Sequence, residues 1–474
     1  MRTISRRSLL QILSGALPSL AQGRKPNFLF LFTDDQRFNT LHALGNKEVQ
    51  TPNMDNLVRH GLHFSHAAIM GGTVGAICQP SRAMLMTGRT LFQVHDHTMA
   101  ANPPAGESRK YYPTFPELLR RNGYETFGTG KWHNGTSMFA RSFSAGENIF
   151  FGGMSDHLQV PVHDFDPAGR YPRAAQRVAK TFSSQLFSDS AIRYLKQRNR
   201  DKPFLAYVAY TSPHDPRMAP ARFARMYSTR DIQVPENFLP RHPFDNGDLK
   251  LRDEVLAPFP RTPEVIKEHI AGYYAMITEV DYQIGRVLAA LVQSGEADNT
   301  YVIFTADNGL AVGQHGLLGK QNLYDHSMRV PLVIAGPGVK KGQHTDGLCY
   351  LMDVCPTVLE LAGVEPPEGI AGRSLRPMMK DPEASIREEV VMAYRHYQRG
   401  IRTRKWKLIL YNVGGEKHTQ LFDMECDPLE RQDLSGEAAH AARITELRAL
   451  LAQRLKEYGD RTDLDAAVWP AFRD

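Results

Sequence analysis

Residues 27–35 read NFLFLFTDD: a run from Asn27 to Thr33 with almost no polar interruption, ending on two adjacent carboxylates, Asp34 and Asp35. A segment of strand length that is apolar at both odd and even positions is buried on both faces, as in a parallel sheet covered by helices. Three further stretches repeat the design. YETFGTGKWH (124–133) runs into Lys131 and His133, PFLAYVAYTSPH (203–214) ends at His214, and TYVIFTADNG (300–309) ends at Asp307 and Asn308. VPLVIAGPG (330–338) reads as one more strand. Ahead of Thr300, the positions Ile270, Tyr273, Ile277, Val280, Ile284, Val287, Leu288 and Leu291 fall at helical spacing, which makes a helix-then-strand unit. The expected fold is α/β, a large mostly parallel sheet flanked by helices. Its ligand crevice lies beyond the carboxyl ends of the strands, where each polar group named above sits.

Residues 214–264 are rich in Pro, Arg and Asp and lack periodicity; a loop of that length in a compact domain is a lid or a functional loop. From residue 380 the pattern changes. EEVVMAYRHYQRGIRTRKWKLILYN and TQLFDM alternate as antiparallel strands, followed by a helix around 438–458, so a small C-terminal α+β subdomain is expected over 380–474. The main domain then covers 22–379.

ICQPSRAMLMTGR (77–89) is a short apolar helix, with Pro80 suited to its first turn and Gly88 to its close. Cys78 stands just ahead of that helix, where free N–H groups and the helix dipole would favour an anion or a thiolate.

Composition excludes several classes. Hydrophobic residues at 42% and charged residues at 23% describe an ordinary globular chain. Of the net charge of +6, three units are Arg2, Arg6 and Arg7, and the +3 that remains is no nucleic-acid signature. MRTISRRSLLQILSGALPSLA (1–21) has a basic start, a short apolar run and small residues near its end, which is a signal peptide of twin-arginine character. The chain is expected to be exported, periplasmic or secreted, from a bacterium and without a stable membrane anchor. The four cysteines, Cys78, Cys349, Cys355 and Cys426, show no zinc spacing; Cys349 and Cys355 are either bridged or free buried thiols.

An isolated DD or DNG is a turn signal. Four strand ends bearing such groups in one fold are another matter. Asp34, Asp35, Asp307 and Asn308 are hard oxygen donors that suit Ca²⁺ or Mg²⁺ better than zinc, because no histidine pair accompanies them at ligand spacing. Arg82, Lys131 and Lys320 add fixed positive charge, and His133 and His214 add proton-transfer groups. A divalent cation, three cations and two histidines form a site that binds and cleaves a tetrahedral oxyanion ester.

Cys78-Gln79-Pro80-Ser81-Arg82 followed by AMLMTGR resembles the C-x-P-S-R signature of the type I sulfatases, on the alkaline-phosphatase-like fold. The likeness extends to Asp34-Asp35, Lys131-x-His133, Ser212-Pro213-His214, Asp307-Asn308-Gly309, Lys320 in HGLLGK, and the closing LFDMECDPLERQDL. The resemblance implies that Cys78 is converted to formylglycine by a formylglycine-generating enzyme, and that its hydrate is the nucleophile. It further implies that Asp34, Asp35, Asp307, Asn308 and modified Cys78 hold one Ca²⁺. Arg82 steadies the hydrate, Lys131 contacts hydrate and sulfate, and Lys320 contacts sulfate. His214 protonates the leaving oxygen, and His133 takes the proton that expels sulfate from the enzyme. The expected substrate is a sulfated small molecule or glycan, with a carbohydrate favoured. Phosphodiester or phosphonate monoester hydrolysis is the alternative on the same apparatus. A silent sulfate-ester binding protein would need an unmodified Cys78 or a broken core set, and the set is intact. His315 is either a substrate contact or a structural loop residue, and His95 and His97 are weaker candidates. The loop after His214, residues 95–110 and YRHYQRG from Tyr394 are expected to build the leaving-group pocket.

Overall fold

The computed structural model describes residues 24–98 and 111–472; the signal segment 1–21 and residues 99–110 of the 95–110 stretch lie outside them, as does the side chain of His97. Eight strands form the main sheet: β1 (Asn27–Thr33), β2 (Leu62–Ala68), β4 (Glu125–Lys131), β5 (Ala145–Phe150), β8 (Phe204–Ala209), β9 (Thr300–Ala306), β10 (Leu332–Ala335) and β11 (Gln343–Tyr350). Their order is β11-β2-β10-β9-β1-β8-β4-β5. β1 lies between β8 and β9, parallel to both, and β10 runs antiparallel to β9 and β2. The sheet is thus mostly parallel. Its two-sided burial is visible along β1: Phe28, Phe30 and Phe32 join one apolar cluster with Leu85 and Met86. Leu29 and Leu31 join another with Val280, Ile284 and Val287.

The expected long helix spans Pro263–Gln293, with Thr262 as its N-cap accepting from Val265 N. A second sheet contains β12 (Glu389–Tyr394), β13 (Gln398–Thr403), β14 (Trp406–Val413) and β15 (Glu416–Asp423), backed by the helix Ala441–Tyr458. Its edge is completed by β3 (Gly71–Gly72), parallel to β12, so the segment ahead of the signature helix is stitched into the C-terminal sheet. A remaining pair, β6 (Pro161–Val162) and β7 (Arg177–Val178), stands apart. Among the described residues no helix is long and apolar enough to cross a membrane. All four cysteines are unpaired, including Cys349 and Cys355.

One boundary differs from the sequence reading. The signature helix is Cys78–Thr87 with Ile77 as N-cap, so Cys78 is its first residue and not a residue ahead of it. Gly88 closes it in the left-handed conformation, φ 67°, donating to Met84 O, as its lack of a side chain permits.

Candidate active site

The carboxyl ends of β1, β4, β8 and β9, together with the N-terminus of the helix Cys78–Thr87, converge on one buried point. β1 delivers Asp34 and Asp35, and β9 delivers Asp307 and Asn308. β4 ends on Lys131 after an irregularity at Gly130, which has φ 87° and stands so close to β8 that an added Cβ would lie 1.8 Å from Ala209 O. Only glycine fits there. The loop after β8 brings His214, and the loop after β9 brings Lys320. Asp34, Asp35, Cys78, Arg82, Lys131, His214, Asp307, Asn308 and Lys320 are all buried. The structure therefore gathers nine of the ten expected residues into one tight cluster. The tenth, His133, lies at the same crevice and is half-buried, with φ 55°. Its ring stands against Gly153, where an added Cβ would approach Nε2 to 2.6 Å.

The contacts define a charge-balanced core. Lys131 Nζ donates to Asp34 Oδ2 at 2.5 Å and Lys320 Nζ to Asp35 Oδ1 at 2.6 Å. Both ammonium groups lie 3.7 Å from Cys78 Sγ. Arg82 Nε donates to Asp307 Oδ2 at 2.8 Å, and its Nη1 donates to Lys131 O at 2.6 Å. The guanidinium covers the Phe32 ring at 4.7 Å. Asp35 N donates to Asp307 Oδ1 and Ser81 Oγ to Asp307 O, at 3.0 and 2.5 Å, which locks the β1 end, the β9 end and the helix together. His214 Nε2 stands 3.6 Å from Asp35 Oδ2.

Burial sets the protonation states. It pushes Asp34 up to about 6, with Asp307 reinforcing it. Burial also raises Asp35, but Lys320, His214 and Lys131 outweigh it and hold that carboxyl well below its usual range. The Cys78 thiol is raised, because desolvation exceeds the pull of Lys131 and Lys320. This corrects the thiolate expectation: the helix N-terminus does not ionise Cys78, and the unmodified thiol is a poor nucleophile. His133 is driven well below its ordinary value by burial and by Lys131, Arg82 and Lys320, so it is a neutral imidazole able to accept a proton.

The donor set fits a divalent cation. Ligand atoms of Asp34, Cys78 and Asp307 lie within 4.8 Å of one another, and so do those of Asp34, Asp35 and His214. Asp34 Oδ1 and Asn308 Oδ1 are buried without a protein hydrogen-bond partner, an arrangement whose cost a hard cation removes. Arg82 Nη2 is likewise buried without a hydrogen-bond acceptor.

Other expectations resolve differently. His315 is stacked on Tyr324 with ring centroids 3.9 Å apart, and Asn237 Nδ2 lies 3.2 Å from its Nε2, contacts that a structural loop role requires. His95 Nδ1 lies 2.9 Å from Thr73 Oγ1, and its ring lies 5.2 Å from that of Phe472. Arg395, in YRHYQRG, pairs with Asp248 of the long loop at 3.1 Å, so those two segments do meet. Asp215, Arg252 and Glu254 also reach His214 and the Lys320 loop. Their charges look like ordinary loop charges, and only the HD dipeptide at 214–215 hinted at a partner for the histidine.

The sulfatase family model matches residues 26–364, and the model of the N-sulphoglucosamine sulphohydrolase C-terminal region matches residues 313–457. An N-acetylglucosamine-6-O-sulfatase of Bacteroides thetaiotaomicron is 28% identical over 521 residues, covering 95% of this chain and 90% of its own. A protein solved in complex with its substrate D-glucosamine-2-N,6-O-disulfate superimposes with a TM-score of 0.77 at 26% identity, over 93% of this chain and 100% of that one. A phosphonate monoester hydrolase of Agrobacterium radiobacter shares the fold, with a TM-score of 0.72 at 22% identity over 95% and 100% of the two chains. With the signature helix, the paired carboxylates and the lysines assembled around residue 78, and the family model matching most of its length, the chain belongs to the sulfatases, the sulfuric ester hydrolases.

Proposed function

We propose that this enzyme hydrolyses a sulfate ester on a carbohydrate, using formylglycine at position 78 and one Ca²⁺ held by Asp34, Asp35, Asp307, Asn308 and residue 78. The observation that carries the reading is the placement of Cys78 Sγ 3.7 Å from both Lys131 Nζ and Lys320 Nζ, beside two orphaned carboxyl and amide oxygens. The carbohydrate is supported by the relatives that act on glucosamine sulfates. Maturation by a formylglycine-generating enzyme, and export by the twin-arginine route, belong to the same proposal.

Formylglycine at position 78 would supply, as its hydrate, one hydroxyl as the nucleophile and a second through which the carbonyl could be restored. A cation held by Asp34, Asp35, Asp307 and Asn308 would supply positive charge to the site. Everything else falls to the chain. Lys131 and Lys320 neutralise the sulfate oxygens as charge builds on them. Arg82, clamped between Asp307 and Lys131 O, holds the first turn of the helix against the β9 end and has Nη2 left for residue 78. His214, whose Nε2 stands 3.6 Å from Asp35 Oδ2, gives its proton to the departing sugar oxygen. His133, kept neutral, takes the proton released as sulfate departs.

This division predicts separable mutants. A general acid contributes on the order of 10²–10⁴ in rate when the leaving oxygen needs a proton. His214→Ala therefore loses sugar-sulfate turnover by about that factor, whereas nitrophenyl sulfate, whose phenolate leaves unaided, loses far less. His133→Ala gives a burst of alcohol without matching sulfate release. Equal losses on both substrates in both mutants, with no burst, would contradict the assignment. Metal removal is a separate test: chelation abolishes activity, and Ca²⁺ restores it better than Mg²⁺. Zinc in the active protein by elemental analysis would count against the donor set.

Phosphonate monoester or phosphodiester cleavage is the second reading. It is favoured by one observation: a multifunctional alkaline phosphatase superfamily protein of Trinickia caryophylli is 29% identical over 92% of this chain. A side-by-side rate comparison decides between the two.

A further inference from the structure

The long loop after His214 returns to the site at Arg252-Asp253-Glu254, and its contacts there are specific. His214 Nδ1 lies 2.8 Å from Asp215 O and 3.2 Å from Asp215 Oδ1. Two acceptors around Nδ1 hold an N–H on that side of the ring and leave Nε2, 3.6 Å from Asp35 Oδ2, as the nitrogen that must carry the transferable proton. The Asp215 carboxylate is in turn gripped by both terminal nitrogens of Arg252: Nη2 donates to Oδ1 at 3.0 Å and Nη1 donates to Oδ2. Arg252 also donates to Asp253 Oδ1 at 2.5 Å. Gln321 Nε2 bridges Asp253 Oδ2 and Gly75 O at 2.8 and 2.9 Å. Glu254 accepts from Leu318 N and Gly319 N at 3.0 and 2.8 Å, immediately before Lys320. On the opposite side, His157 Nε2 lies 2.9 Å from His214 O.

We propose that Asp215 is a positioning residue for His214, and that Arg252, reaching in from the loop, holds Asp215 in that role. Asp215 does not touch the reacting atoms. It orients the ring and places a negative charge behind it, while the Arg252 fork keeps the carboxylate from swinging toward the lysines. The same three-residue strap braces the Lys320 loop through Glu254, so proton donor and sulfate ligand are held from one piece of chain. This rests on His214 being the general acid, as proposed above.

The test uses full-length, modified, metal-loaded enzyme with two substrates, a sugar sulfate and an activated aryl sulfate. Asp215→Ala lowers kcat on the sugar sulfate at least ~10-fold, a fraction of what the acid itself contributes, with KM little changed and aryl sulfate turnover within ~3-fold. Asp215→Asn, which keeps an acceptor for Nδ1–H, recovers part of the loss. Arg252→Met, at a side chain 42% exposed, shows the same leaving-group bias in weaker form and guards against misfolding of the first variant. The double variant His214→Ala/Asp215→Ala is no slower than His214→Ala alone, because a positioning residue has nothing left to position. Losses that are equal on both substrates, confined to KM, or additive with His214→Ala overturn the inference. If His214→Ala itself shows no leaving-group bias, the general-acid reading fails, and this inference fails with it.

Discussion

Cys78→Ala leaves a folded protein that releases no sulfate, with turnover reduced on the order of 10⁴-fold or more, as for loss of any covalent nucleophile. The fold survives because Cys78 is a small side chain on the first turn of a helix, and its Sγ contributes only long contacts to Lys131 and Lys320. Cys78→Ser is the more discriminating variant. Its hydroxyl can attack once, but it has no carbonyl to re-form, so it releases at most one alcohol per chain and then stops. Peptide mass spectrometry of the active wild type should show the thiol replaced by an aldehyde. Sustained turnover from an unmodified thiol would remove residue 78 from the role assigned to it; burial, which raises the thiol's pKa, argues against that outcome.

Asp307→Ala has the second large effect, and it acts on folding as well as chemistry. Asp307 is fully buried against Arg82, itself fully buried. It also receives Asp35 N on the carboxylate and Ser81 Oγ on its carbonyl. Removing the carboxylate strands a guanidinium in a dry core, which costs about 3–5 kcal/mol. The expected result is a stability loss of that size by denaturant titration, together with loss of metal binding and activity. Asp307→Asn keeps the Asp35 N contact and loses less stability, yet remains inactive. A stable and active Asp307→Ala enzyme would refute both the ion pair and the ligand role.

What the sequence made legible follows from how each part is encoded. β1, β8 and β9 are apolar on both faces because both faces are covered, and such runs are visible without any partner. The polar residues at their carboxyl ends, Asp34, Asp35, His214, Asp307 and Asn308, were visible for the same reason: the change from apolar to polar is abrupt. Three strands of the sheet were not visible. β2 carries His63, Ser65 and His66, β5 begins Ala-Gly-Glu, and β11 begins Gln-His-Thr-Asp. β5 and β11 are edge strands and β2 neighbours one of them, positions where polar side chains cost little, so no apolar run announces them. The direction of β10 was hidden too, since periodicity carries no orientation. In the site, the Asp215–Arg252 pair joins residues 37 apart through an irregular loop. No local pattern encodes such a path, and each charge taken alone reads as solvated. Cys78 shows the converse. Its closeness to a helix start is legible, but its place inside the first turn and the rise of its pKa are not, because desolvation depends on the strand ends that close over it.

The measurement that bears most directly on the account is sulfate release by enzyme co-produced with a formylglycine-generating enzyme and loaded with Ca²⁺. The substrates are N-acetylglucosamine 6-sulfate, glucosamine 2-N,6-O-disulfate, a phosphonate monoester and a phosphodiester, compared by kcat/KM. The account predicts inorganic sulfate and desulfated sugar in equal amounts, with a sulfated sugar preferred to either phosphorus ester. Preference for the phosphonate or phosphodiester, or no sulfate from either sugar by an enzyme with confirmed formylglycine, would contradict it.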